Sequence, residues 1–145
     1  MNASFKLNGL NKLLIGFVIL VHCMFFLLEA ILWMMPAVHT TLIELLNNPV
    51  HSDVHVQALT LKNLFINQGF YNLFLVGAGI AGLRFIHIGK SAVGLALLLL
   101  LCGSATGAGI VLAFSTKAYI LAILQALPAA ITFVRLYPHF IARSS

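Results

Sequence analysis

Residues 13–35 read LLIGFVILVHCMFFLLEAILWMM, a run with one acid, Glu29, and no Lys or Arg. A helix needs roughly 20 such residues to cross the hydrocarbon core of a bilayer, and this run is long enough. Lys6 and Lys12 precede it, as basic residues precede a secretory leader. The run nevertheless exceeds the roughly 7–15 residues of a leader's apolar segment. Pro36-Ala37-Val38-His39 does not offer a small-x-small cleavage site, and Leu20-Val21-His22-Cys23 lacks the small residue that precedes a lipoprotein cysteine. We read the run as a retained first membrane span.

Three further apolar runs follow, over 64–85, 91–114 and 118–136. The expected fold is an all-α integral membrane four-helix bundle, a single transmembrane domain over residues 1–145. The turns at 87–90 and 115–117 are short enough to force antiparallel neighbours. Only the connection 36–63 has room for structure of its own. In it Val38, Leu42, Leu45 and Leu46 recur at helical spacing, which predicts a short amphipathic helix before the Asn47-Asn48-Pro49 break. Ser52 or Asp53 is placed to cap a helix that runs through Val56, Leu59 and Leu61 into span two.

Composition agrees. With 61% hydrophobic residues, 8% charged residues and a mean hydropathy of +1.06, the chain is neither a soluble globular domain nor disordered by composition. Eight Lys+Arg against three Asp+Glu give a net charge of +5, but the cations sit at the ends of apolar runs without interleaved aromatics, so no nucleic acid is expected. Lys6, Lys12, Arg84, Lys90, Arg135 and Arg143 fall on one side of a four-span chain, and Lys62 and Lys117 on the other. The positive-inside rule then puts both termini in the cytoplasm and the long first loop, 36–63, outside an inner (plasma) membrane. Cys23 and Cys102 lie inside apolar runs and read as small buried hydrophobes rather than as a disulfide or redox pair.

Polar residues within the spans carry the functional reading. A carboxylate in hydrocarbon is costly and normally faces the bundle interior with a partner. At 1.5 Å per residue, Glu29 lies roughly 9 Å below the outer end of span one, Asn67, Gln68, Tyr71 and Asn72 roughly 5–12 Å below that of span two, Thr106 roughly 12 Å and Gln125 roughly 10 Å below theirs. His22, Phe26, Glu29 and Trp33 share one face of span one, Gln68, Tyr71 and Asn72 one face of span two, and Gln125, Pro128 and Thr132 one face of span four. These faces are expected to converge on an outward-facing polar pocket with His22 as its floor. Two uses stay open: a hydrogen-bonded network that fixes helix register, or a binding site.

In the loop, His51 and His55 are four apart with Asp53, His39 and Glu44 nearby, a weak candidate set for a transition metal. Gly103-x-x-x-Gly107 with Ser104, Ala105, Ala108 and Gly109, and Gly77-x-x-x-Ala81 with Ala78-x-x-x-Gly82, read as small faces for close helix packing.

Three segments, His22-x-x-Phe25-Phe26-x-x-Glu29-x-x-x-Trp33, Asn67-Gln68-Gly69-Phe70-Tyr71-Asn72-x-Phe74-Leu75 and Gln125-Ala126-Leu127-Pro128-Ala129, resemble a family of small four-span, mainly bacterial membrane proteins. That family is catalogued only as a domain of unknown function, number thirteen hundred and four in its series. The resemblance implies a fold and a membrane location and lends no activity. Its signature residues are the same polar groups that the depth arithmetic puts in one layer.

Three functions compete. The first is a pocket for a small amphipathic molecule (a quinone, isoprenoid or lipid-like compound) with Glu29, His22, Trp33, Asn67, Gln68, Tyr71, Asn72 and Gln125 as its residues. The second is an accessory subunit of a larger membrane enzyme or respiratory complex, or a homo-oligomer, docking through small-residue helix faces. The third is an intramembrane isomerase or redox enzyme using Glu29 and His22 for proton transfer. No second carboxylate, redox-spaced cysteine pair or nucleophile–base motif accompanies it, and the residues identify no cofactor.

Overall fold

The computed structural model describes residues 5–46 and 53–144. Helix α1, Gly9–Phe26, runs into a π-helical turn, Leu27–Ile31; α2 is Pro36–Leu45, α3 Val54–His87, α4 Ser91–Ser115 and α5 Tyr119–Ser144. Four of these stretches are long and apolar enough to cross a membrane: Gly9–Ile31, Val54–His87, Ser91–Ser115 and Tyr119–Arg143. The chain is an all-helical, multi-pass membrane protein.

The span boundaries differ from the apolar runs for local reasons. Span one ends at Ile31 rather than at 35, because the Leu32 N–H reaches back to the Leu27 carbonyl (2.8 Å) and Met35 is extended (φ −73°, ψ 126°). Pro36 imposes that extension on the residue before it, then opens α2 at a position that needs no amide donor. Helix α3 begins at Val54, before the apolar run at 64, as the expected Asp53 cap requires: its side chain accepts from the His55 and Val56 amides (2.8 and 3.3 Å). The Asn47-Asn48-Pro49 break and Ser52 lie outside the described residues. The turn between α3 and α4 carries Gly89 at φ +83°, a conformation that favours glycine.

The spans form a ring in which α1 packs on α3 and α5, and α4 on α3 and α5. Ile15, Val18, His22 and Phe25 give α1 its buried stripe; Leu95, Leu98, Cys102, Ala105 and Gly109 do the same for α4. The core has three parts along the bundle. Leu7, Ile15, Ile86, Leu95, Leu98 and Leu136 fill the end that carries both termini, and Val18, Leu101, Cys102, Ala105 and Ala129 the middle. Trp33, Ile43 and Ala58 close the opposite end. Leu13, Leu20, Phe74, Phe114, Ile120 and Val134 point outward and are exposed, an apolar girdle suited to lipid.

Of the small-residue faces, Gly82 meets α4 at Gly94 and Gly109 meets α5 at Ala122 and Ala126. Gly77, Gly103 and Gly107 lie on outer surfaces.

Candidate functional site

The site is built where span one changes its helical pitch. In the turn Leu27–Ile31 the backbone hydrogen bonds reach back five residues, which inserts an extra residue and shifts the phase of everything after Phe26. Such π-helical turns occur often at functional sites. Here the turn lies against α3 at Gly69: a Cβ on that glycine would fall 2.7 Å from the Ala30 Cβ and 2.8 Å from the Ala30 nitrogen. Only glycine lets the two backbones approach so closely. One turn farther along α3, Asn72 faces Glu29.

Asn72 is buried and its amide nitrogen has two acceptors. It donates to Glu29 Oε2 at 2.9 Å and to the Gln68 carbonyl of its own helix at 3.2 Å. The second bond fixes the Asn72 rotamer and the first fixes the carboxyl. Glu29 is thus held at one oxygen.

A cavity of about 310 Å³ opens beside this pair, at the end of the bundle away from the termini. Its polar lining is Glu29, Gln68, Asn72, Gln125 and Ser115. Its apolar wall includes Phe25 and Leu28 from span one, Phe65 from α3, and Leu121 from α5. Leu42 and Leu46, in and just after α2, roof it. Every spanning helix contributes, and among the described residues no Lys, Arg or His lines it. Gln125 is buried with no protein hydrogen-bond partner among the described residues, and Glu29 Oε1 likewise has none. Gln68, Ala108 and Val111 line the cavity and are exposed as well, so it communicates with the bundle's outer surface.

The roof is held by Trp33. Its ring stacks on Phe65 (3.7 Å between centroids, 10° between planes) and its Nε1–H donates to the Ala58 carbonyl at 2.9 Å. The buried His39 of α2 donates from Nδ1 to the Trp33 carbonyl at 3.1 Å, and Ile43 packs into the same cluster. These contacts seat the short helix across the end of the bundle.

Of the residues singled out from the sequence, Glu29, Gln68, Asn72 and Gln125 come together at the cavity. Trp33 stands behind it and supports the roof. Asn67 is exposed and Tyr71 is 65% exposed with its ring against Phe74, and neither is among the residues that line the cavity. His22 is fully buried: Nδ1 donates to the Val18 carbonyl at 2.8 Å, and Nε2 has no partner among the described residues. Phe25, its edge-on ring neighbour, lines the cavity where His22 does not. His22 therefore stands outside the cavity that Glu29 lines.

Phe26, expected on the Glu29 face, instead meets Phe70 edge-on at 5.6 Å, and Phe25 takes its place as wall. A straight-helix phase does not anticipate the π turn. The apolar lining was available in the spacing Phe65, Gln68, Asn72 and Leu121, Gln125, which continues the polar faces by one turn. Thr106 donates to the Cys102 carbonyl at 2.7 Å and is not part of the wall. In the loop, His55 is exposed and near the His39 ring (6.0 Å), while His51 lies outside the described residues. Among the described residues no three His, Cys, Asp or Glu side chains are grouped to hold a metal.

No curated protein and no solved structure matches the chain. The family model described as Protein of unknown function (DUF1304) matches residues 16–137, from the first turns of α1 into the last turns of α5. Since that match takes in Glu29, Gln68, Asn72 and Gln125 and most of the chain, the chain belongs to the DUF1304 family.

Proposed function

We propose that the cavity binds the polar head of a small amphipathic molecule of quinone, isoprenoid or lipid-like type. The observation that carries this reading is the cavity itself, in which a half-satisfied carboxyl and an unpartnered carboxamide meet an apolar wall. A volume of about 310 Å³ is at the lower end of the roughly 300–1,000 Å³ of ligand pockets, and suits a head whose tail passes out between helices into lipid. With no cation among the described lining residues, the fitting head is a neutral donor and acceptor, such as a hydroxyl, rather than a phosphate. Glu29 Oε1 accepts from a hydroxyl head, which for the quinone class means the reduced quinol, and the Gln125 amide donates to it.

The distribution of cations supports an orientation with both termini in the cytoplasm and the cavity on the outer side of a bacterial inner membrane. The test is chemical: lipid-soluble molecules co-purifying with the wild type are compared with those from Ala108→Phe, which fills the cavity from α4. One compound, stoichiometric in the wild type and missing from the variant, supports the reading. Identical extracts contradict it.

A second reading, an accessory subunit or homo-oligomer, is favoured by one observation: Gly103 and Gly107 lie one turn apart on an exposed face of α4. Such a face suits a partner helix. Gly107→Leu then releases a co-purifying protein while leaving cavity ligands in place.

A further inference from the structure

At the opposite end of the bundle a second cavity, of about 670 Å³, is lined by Lys6, Lys12 and His87 together with Phe5, Leu7, Leu83, Ile86 and Gly89. The segment carrying Lys6 is fixed at both of its neighbours. Phe5 packs on His139 (5.0 Å between rings) beneath the Arg143 guanidinium (4.7 Å), and Leu7 is buried in the core with Ile86 and Leu136. Lys12 is held in the first turn of α1, where Asn8 caps the helix through the Asn11 amide at 2.8 Å. Two lysines and a histidine therefore border one space with an apolar side.

Of the other cations at this end, Arg84 is exposed on α3 outside the cavity lining, and three have partners. Arg135 donates from Nε to Asn11 Oδ1 at 2.7 Å, Arg143 lies over Phe5, and Lys90 lies over Phe85 at 5.9 Å. The three acids of the chain, Glu29, Glu44 and Asp53, are all at the other end of the bundle. Among the described residues no side-chain carboxylate is available to neutralise Lys6 or Lys12.

We infer that this basic cavity is a phosphate site, occupied by the phosphodiester head of an anionic phospholipid whose acyl chains leave past Leu83. Basic pockets at the ends of membrane helices recognise phospholipid heads in this way, ammonium groups supplying the charge and the helix surface the apolar contact. The chemistry is the opposite of the Glu29 cavity, which has an acid and no cation, and the two sites stand or fall separately.

The test is native mass spectrometry of the full chain, delipidated in neutral detergent and titrated with phosphatidylglycerol or phosphatidylcholine. The wild type is expected to prefer phosphatidylglycerol. Lys6→Gln with Lys12→Gln should weaken that binding about 25-fold, at about five-fold for each lysine near a phosphate surface. Lys62→Gln with Lys117→Gln, which removes the same charge from the other end, should leave it unchanged. If the double variant does not fold, Lys6→Gln alone reads the about five-fold step. Displacement by millimolar inorganic phosphate would support the phosphate site with a soluble anion as its natural occupant, and resistance would support it with a lipid. Equal binding of the two lipids by the wild type, or equal losses in the two double variants, overturns the inference.

Discussion

Glu29 and Asn72, 43 residues apart in the chain, are joined at 2.9 Å through an amide whose other hydrogen is spent on its own helix. The pair is asymmetric: both hydrogens of the Asn72 amide nitrogen are used, and the carboxyl has one oxygen left to face the cavity. That asymmetry separates a register device, which needs only the bond, from a binding site, which needs the remaining oxygen. It also makes the two partners unequal to mutation. Asn72→Ala deprives a half-buried carboxyl of its donor and is expected to cost about 1–3 kcal/mol, read as a lower midpoint of thermal unfolding in detergent. Glu29→Gln keeps an acceptor for Asn72 and should change stability by less than about 1 kcal/mol.

Gly69 is where α3 admits the π turn of span one. Gly69→Ala puts a methyl group into the Ala30 backbone, so the helices must separate, at an expected cost of about 1–3 kcal/mol for overpacking. Ala30→Gly should restore only part of the loss, because the Ala30 nitrogen is as close as its Cβ. Gly107→Leu, where nothing lies within 4 Å of the added Cβ, should leave the unfolding midpoint nearly unchanged. A Gly107 variant as damaging as the Gly69 one would refute this account of the packing.

Much of this was legible in the sequence. The 13–35 run and its three successors specify a four-span bundle because crossing hydrocarbon takes length and apolarity and little else. The carboxyl and carboxamides that meet at the cavity were legible as well, since polar groups in such spans are few and their depths follow from a fixed rise per residue. Helical rotation was less accessible. Tyr71 shares a sequence face with Gln68 and Asn72 but turns outward beside Phe74, and Phe26 yields its place to Phe25 across the π turn. A change of pitch leaves no mark in hydropathy. The role of Trp33 was hidden for a different reason: its partners Ala58 and Phe65 lie late in the 36–63 connection and just past it, and no periodicity determines that connection's path.

The roof over the cavity depends on Trp33. Trp33→Phe preserves an aromatic ring against Phe65 but removes the donor to the Ala58 carbonyl, a loss of about 1 kcal/mol. Helix α2 should then lift more often. A single cysteine at position 42, introduced as Leu42→Cys in a background with Cys23 and Cys102 replaced by serine and alanine, should react faster with a water-soluble thiol reagent when Trp33→Phe is present. Equal labelling rates would mean that Trp33 does not hold the roof.

The most direct measurement is native mass spectrometry of the protein extracted in mild detergent from its own membranes, comparing wild type with Glu29→Gln at equal folding. The account predicts a stoichiometric neutral amphipathic molecule on the wild type that is lost or strongly depleted in Glu29→Gln, while Asn72 and the bundle remain intact. Wild type and variant carrying the same molecules, or neither carrying any, would contradict it and leave Glu29 as a residue that sets the register of two helices.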